Sequence, residues 1–130
     1  MSTSDLSGYT ILIAEDDSAS LKYFNTSLGK TGIHILNAGN GREAIDQFHE
    51  APKIDIILMD AMMPVMDGFD ATQEIKKSNP AIPILILTAY VEPESIRKAV
   101  ASGCNDYLAK PIQQDVLLSA VEKWTVGRRE

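Results

Sequence analysis

Short apolar runs recur along the chain, and each stops abruptly at a polar group. Ile11-Leu12-Ile13-Ala14 runs into Glu15, Asp16 and Asp17, and Ile54-Asp55-Ile56-Ile57-Leu58-Met59 runs into Asp60. Two later runs stop at Thr88 and Lys110. Runs of this length bounded by turn chemistry predict strands. Between them lie stretches of helical periodicity. Leu21, Phe24 and Leu28 share one helical face, and Gly29 follows as a terminator. Ile33 to Asn37 predicts a second strand. Asn40 and Glu43 form a capping pair for a helix that buries Ala44, Ile45 and Phe48 and breaks at Pro52. Gly68 to Ser78 carries Phe69, Thr72 and Ile75 on one side, and Asn79-Pro80 stops it.

The fourth strand, Ile84-Leu85-Ile86-Leu87, is apolar without alternation, as expected where helices cover both faces of a parallel sheet. Pro93 suits the first turn of a helix whose inner face is read as Ile96, Ala99 and Val100, with Gly103 as its left-handed cap. A short strand, Asp106 to Ala109, precedes a last helix with an expected core face of Val116, Leu117, Ala120, Val121 and Trp124. Strand and helix alternate throughout, which predicts an α/β fold with a doubly wound, five-stranded parallel sheet. Right-handed crossovers then bring all the C-terminal strand ends to one edge. By analogy with other such sheets the order is 2-1-3-4-5, with a crevice between strands one and three.

Composition narrows the picture. At 130 residues and 45% hydrophobic content, one domain with one buried core is expected. The expected boundaries are a flexible tail over residues 1–8, the domain over 9–126 and a short tail over 127–130. Twelve basic against 18 acidic residues give a net charge of −6. That balance argues against a broad nucleic-acid or anionic-membrane surface. No apolar run is long enough to span a bilayer and the start lacks signal-peptide character. A cytoplasmic location is the expectation, and the lone Cys104 suits a reducing compartment.

The shared edge would gather Glu15, Asp16, Asp60, Thr88 and Lys110. Carboxylates crowded together repel, and a divalent cation relieves the conflict. An all-oxygen ligand set without His or Cys favours magnesium or manganese. Such a cation can bridge Asp60 and a phosphoryl group whose other oxygens meet the Lys110 ammonium and the Thr88 hydroxyl. Asp60 is left as a nucleophile that forms an acyl phosphate. Singly, each residue has an ordinary explanation: Asp16 or Asp17 as a helix N-cap, Lys110 as a solvated strand end, Thr88 as a strand former. Their joint placement is what points to phosphoryl transfer. His34 and His49 lack ligand spacing, Asp67-Gly68 reads as turn and cap chemistry, and the methionines read as packing.

The same residues carry a resemblance. From about Tyr9 to Trp124 the chain resembles a receiver domain of the two-component response-regulator (CheY-like) superfamily. The motifs are Ile11-Leu12-Ile13-Ala14-Glu15-Asp16-Asp17, Met59-Asp60-Ala61-Met62-Met63-Pro64-Val65-Met66-Asp67-Gly68, Leu87-Thr88-Ala89 and Asp106-Tyr107-Leu108-Ala109-Lys110-Pro111. The resemblance implies that Asp60 is the phospho-acceptor, Asp16 a direct metal ligand and Glu15 a ligand largely through water. It further implies that Met62 offers its backbone carbonyl to the metal, Thr88 and Tyr107 act as a switch pair, and Lys110 contacts the phosphate over a cis Lys110-Pro111 peptide. Met62 and Tyr90 hold the positions that tune hydrolysis. Asp17 is an acid beyond the usual pair. Tyr23 lies on a surface that similar receivers present to phosphodonors, and packing at the core edge explains it equally well.

The expected partner is a histidine kinase or histidine phosphotransfer protein, with a phosphorylation-dependent dimer as a further expectation and neither nucleic acid nor membrane bound by this domain alone. Residues 101–112 look especially like receivers of hybrid sensor kinases. The resemblance implies a signalling domain, not an enzyme with its own substrate. An aspartyl-phosphate phosphatase is the main alternative, but it needs a second acid two residues after the nucleophile, where Met62 stands. A flavin module would place a phosphate against Glu15-Asp16-Asp17, which repel it. A scaffold receiver that takes no phosphoryl group is the remaining alternative.

Overall fold

The computed structural model describes residues 5–51, 53–89 and 92–129. Its strands are β1 (Thr10–Ala14), β2 (His34–Ala38), β3 (Ile56–Asp60), β4 (Ile84–Thr88) and β5 (Asp106–Ala109). The helices are α1 (Ser18–Gly29), α2 (Gly41–Glu50), α3 (Gly68–Ser78), α4 (Pro93–Ser102), α5 (Gln114–Trp124) and a closing turn, α6 (Val126–Arg129). All strand pairs are parallel and the order is β2-β1-β3-β4-β5. The expected doubly wound sheet is therefore present, with its reversal of direction at β1 and β3.

The central strands are apolar on both faces because both faces are covered. Leu12, Ile57, Met59, Ile84 and Ile86 turn toward Ala44, Phe69, Ala71 and Ile75 of α2 and α3. Ile11, Ile13, Ile56, Leu58, Leu85 and Leu87 turn the other way, toward Phe24, Leu28, Leu117 and Val121 of α1 and α5. Burying each such side chain contributes roughly 1.5–3 kcal/mol, which makes the register of the inner strands hard to slip.

Capping chemistry sets the helix starts. Asn40 Oδ1 accepts from the Glu43 amide at 2.9 Å, while Glu43 Oε1 accepts from the Gly39 amide at 2.8 Å. Asp67 caps α3 by accepting from the Asp70 amide at 2.8 Å. Gly103 ends α4 at φ 86°, a conformation that favours glycine.

Several expectations are corrected. Ile96, Val100 and Val116 do not form core faces: they are 43%, 74% and 47% exposed. Helical spacing puts Ile96 and Val100 on one face of α4, but only Ala99 and Ser102 of that helix turn fully inward, and Leu117, Ala120 and Val121 fill the core from α5 without Val116. The expected tail is docked at Leu6. Leu6 is fully buried among the α1 and α5 side chains, and its amide donates to the Thr31 carbonyl at 2.8 Å. The chain after Thr125 coils into α6 instead of trailing away. Finally, β3 starts at Ile56, because Asp55 exchanges bonds with Thr10 instead: the Asp55 amide donates to the Thr10 carbonyl and the Asp55 carboxylate accepts from the Thr10 amide, both at 2.9 Å.

Candidate phosphoryl-transfer site

Ladder hydrogen bonds continue past the strand ends and fix the residues that follow. The Glu15 amide donates to the Ala38 carbonyl at 2.9 Å, the Ala61 amide to Leu87 at 2.8 Å, and the Lys110 amide to Thr88 at 2.8 Å. Each candidate group therefore starts from a backbone held by its neighbour strand. Glu15, Asp60 and Thr88 are buried, Lys110 is half-buried and Asp16 is exposed.

Lys110 joins the two buried carboxylates. Its Nζ lies 2.8 Å from Glu15 Oε1 and 3.0 Å from Asp60 Oδ1. The other Glu15 oxygen, Oε2, accepts from the Asp17 amide at 3.1 Å. Two buried anions share one ammonium, so the site carries surplus negative charge. Burial, and then the negative charge of Glu15, push the Asp60 carboxyl up from 3.8 to about 7 against the opposing pull of Lys110. Burial works to lower the Lys110 ammonium, but its hydrogen bonds with Glu15 and Asp60 outweigh that and hold it above the ordinary lysine value.

The donor set fits a hard divalent cation. One carboxylate oxygen each from Glu15, Asp16 and Asp60 can be drawn from a cluster within 4.8 Å of one another, with no His or Cys among them. Asp17 stands outside this cluster and has a task of its own. It caps α1, accepting from the Ser20 amide at 2.9 Å, and hydrogen bonding from Ser20 holds its carboxyl below the usual aspartate value.

Met62 lies two residues beyond Asp60 on the connection to α3, and its side chain is 60% exposed. The connection is closed by the Gly68 amide donating to the Ala61 carbonyl at 2.9 Å, and is tied to α2 by the Gly41 amide donating to Met66 at 2.9 Å. A Cβ at Gly68 would collide with the Asp60 carbonyl. Gly68 supports the loop after Asp60 as its turn and cap chemistry predicts, whereas nothing in the sequence pattern points to Gly41. Thr88 ends β4, and Tyr107 is half-buried on β5 beside it, opposite Ile86 in register. The Lys110–Pro111 peptide is cis. Tyr90 lies outside the described residues, while His34 and His49 are both exposed.

Comparison with known proteins agrees with this geometry. Residues 11–122 match the family model for the response regulator receiver domain, and the chain belongs to that family. It is 39% identical over 113 residues to the transcriptional regulatory protein ZraR of Escherichia coli K12, covering 87% of this chain and 25% of that protein. It is 34% identical over 120 residues to the sensor histidine kinase GacS of Pseudomonas protegens, covering 88% of this chain and 13% of the relative. The chain thus spans about a quarter or less of the curated relatives described here. Among solved structures it is similar to the receiver domain of a sensor histidine kinase of Pseudomonas aeruginosa, determined with magnesium coordinated in its active-site cleft. That likeness has a TM-score of 0.84 at 30% identity and covers 89% of this chain and 96% of the other. The chain is therefore a receiver domain of two-component signalling systems. None of its described helices is long and apolar enough to cross a membrane.

Proposed function

We propose that Asp60 accepts a phosphoryl group from a phosphohistidine on a histidine kinase or phosphotransfer protein. The observation that carries this reading is the single ammonium of Lys110 set between Glu15 and Asp60 at the C-terminal sheet edge. An Asp60 carboxylate oxygen attacks phosphorus, the P–N bond to the donor imidazole breaks, and the imidazole leaves with the bonding pair as a neutral ring once protonated. The Lys110 ammonium and the Thr88 hydroxyl bind phosphoryl oxygens.

Glu15, Asp16 and Asp60, with the Met62 carbonyl, would hold magnesium or manganese. Such a cation supplies positive charge that keeps Asp60 ionised and neutralises the phosphoryl oxygens. Charge added at Asp60 then biases the Thr88 and Tyr107 pair, and with it the surface formed by α4 and β5. Exposed Met62 cannot orient an attacking water by hydrogen bonding, and with Tyr90 it takes the role of tuning hydrolysis. The domain acts in the cytoplasm, within a larger regulator or hybrid kinase or beside one, and phosphorylation favours its dimerisation.

Mass spectrometry after incubation with acetyl phosphate and magnesium tests the acceptor. One phosphoryl adduct is expected, absent from Asp60→Asn and absent with a chelator. An adduct that survives in Asp60→Asn would refute the assignment.

A further inference from the structure

The connection from β5 to α5, residues 110–113, carries Lys110 at its start, and its hold on the rest of the molecule is uneven. At one end the Lys110 amide is fixed to Thr88. Beyond it, Ile112 is buried at 8% exposure, and its carbonyl accepts a hydrogen bond from the Tyr23 hydroxyl of α1 at 2.8 Å. Among the described residues no other side chain bonds to the backbone of this connection. Gln113, which precedes α5, makes no side-chain cap bond.

Tyr23 is 39% exposed, and its ring meets Phe24 edge-on at 5.8 Å. Packing alone would need only the ring, and an exposed phenol has water available to it. Instead the hydroxyl reaches a carbonyl 89 positions along the chain. Helix α1 begins at Ser18 behind its cap Asp17, whose amide donates to Glu15 Oε2 at 3.1 Å, so its start is tied to the acidic side of the site. Tyr23 and residues 110–113 also line one open groove of about 660 Å³, together with Ala19, Ser20 and Ala89.

We propose that Tyr23 is a positioning residue for phosphoryl transfer: its hydroxyl latches residues 110–113 to α1 and thereby fixes the Lys110 ammonium between Glu15 and Asp60. The role rests on the reading of Asp60 as acceptor. Lysine is a point charge on a flexible stem, so its place depends on how firmly its backbone is held. A displacement of about 1 Å in a group of this kind can cost up to ~100-fold in rate, and a loosened connection costs a fraction of that.

Tyr23→Phe keeps the ring and removes only the latch. In the metal-free protein the Ile112 carbonyl carbon resonance should shift and the backbone order parameters of Lys110, Ile112 and Gln113 should fall, while those of α1 stay unchanged. With acetyl phosphate at saturating magnesium, the initial rate of Asp60 phosphorylation should drop about fivefold, and the same substitution in a Lys110→Ala background should cost nothing further. An unchanged carbonyl resonance and unchanged order parameters overturn the latch. A loosened connection with an unaltered rate, or an equal loss in the Lys110→Ala background, overturns the positioning role. A wild-type chain that takes no phosphoryl group overturns the acceptor reading and this role together, whereas a normal wild-type rate that Tyr23→Phe leaves untouched overturns this role alone.

Discussion

Strand β3 is bracketed by two carboxylates that meet opposite fates. Asp55, just before the strand, accepts a backbone hydrogen bond from Thr10 and pairs with the exposed Lys53 at 3.4 Å. Asp60, at its end, has the Lys110 ammonium, which it shares with a second buried carboxylate. The first satisfies a strand end and the second is held in a state of unrelieved charge. A carboxylate at a strand end is thus structural when the backbone supplies its partners, and poised for chemistry when it is buried and a second anion competes for its cation.

The largest expected break in this contrast is thermodynamic. The Asp60 carboxyl lies at about 7 in the folded protein against 3.8 as its reference. Below pH ~4 both folded and unfolded chains hold the proton, and Asp60 contributes no pH dependence. Between pH ~4 and ~7 the folded chain keeps a proton that the unfolded chain releases, so stability falls as pH rises, and above ~7 the loss is complete. The shift corresponds to at most ~4 kcal/mol. Without metal at pH 8, Asp60→Asn should therefore be more stable than wild type by about 2 kcal/mol, a gain that disappears by pH 4. Urea titrations in the presence of a chelator measure this directly, and a wild type as stable as the variant at pH 8 would contradict it. Magnesium should stabilise the wild type more than the variant.

Asp55 should respond with the opposite sign. Removing its carboxylate as Asp55→Ala leaves the Thr10 amide without its acceptor and should cost about 1 kcal/mol. Phosphorylation of Asp60 should continue. Loss of the phosphoryl adduct in a folded Asp55→Ala protein would erase the distinction between the two ends of β3. A smaller effect sharpens the chemistry of the Asp60 end. Met62→Asn gives an attacking water a hydrogen-bonding partner and should shorten the life of phosphorylated Asp60 about threefold, a change of ~0.6 kcal/mol in barrier. Following the decay at fixed magnesium after the donor is removed reads this out, and an equal or longer lifetime would count against it.

Much of the fold was legible because the inner strands are buried on both faces and announce themselves as unbroken apolar runs. Where legibility failed, the failures have physical causes. Ile96 and Val100 have the spacing of an inner face, yet periodicity reports which residues face together and not whether anything lies opposite them. Leu6 stands alone among polar residues, so no period could reveal that it docks beneath Thr31. Asp55 interrupts an apolar run and reads as part of a strand, because its partner Thr10 is 45 residues away. At the site, the gathering of Glu15, Asp16, Asp60, Thr88 and Lys110 follows from parallel strands ending at one edge. The sharing of Lys110 between two anions and the reach of Tyr23 to Ile112 are set by side-chain geometry, which no spacing rule contains. Asp17 was ambiguous in sequence because a helix cap and a metal ligand ask for the same carboxylate at the same place.

The shallow seating of α4 gives the domain a gradient of compliance. Helix α3 is held against the end of β3 at Gly68, where no side chain fits, and buries Phe69, Ala71, Thr72 and Ile75. Helix α4 begins without a side-chain cap and fully buries only Ala99 and Ser102. Local opening is cheapest where few apolar groups are withdrawn from water. The α3 side of the sheet should therefore yield less readily than the α4 side to any change of charge at Asp60.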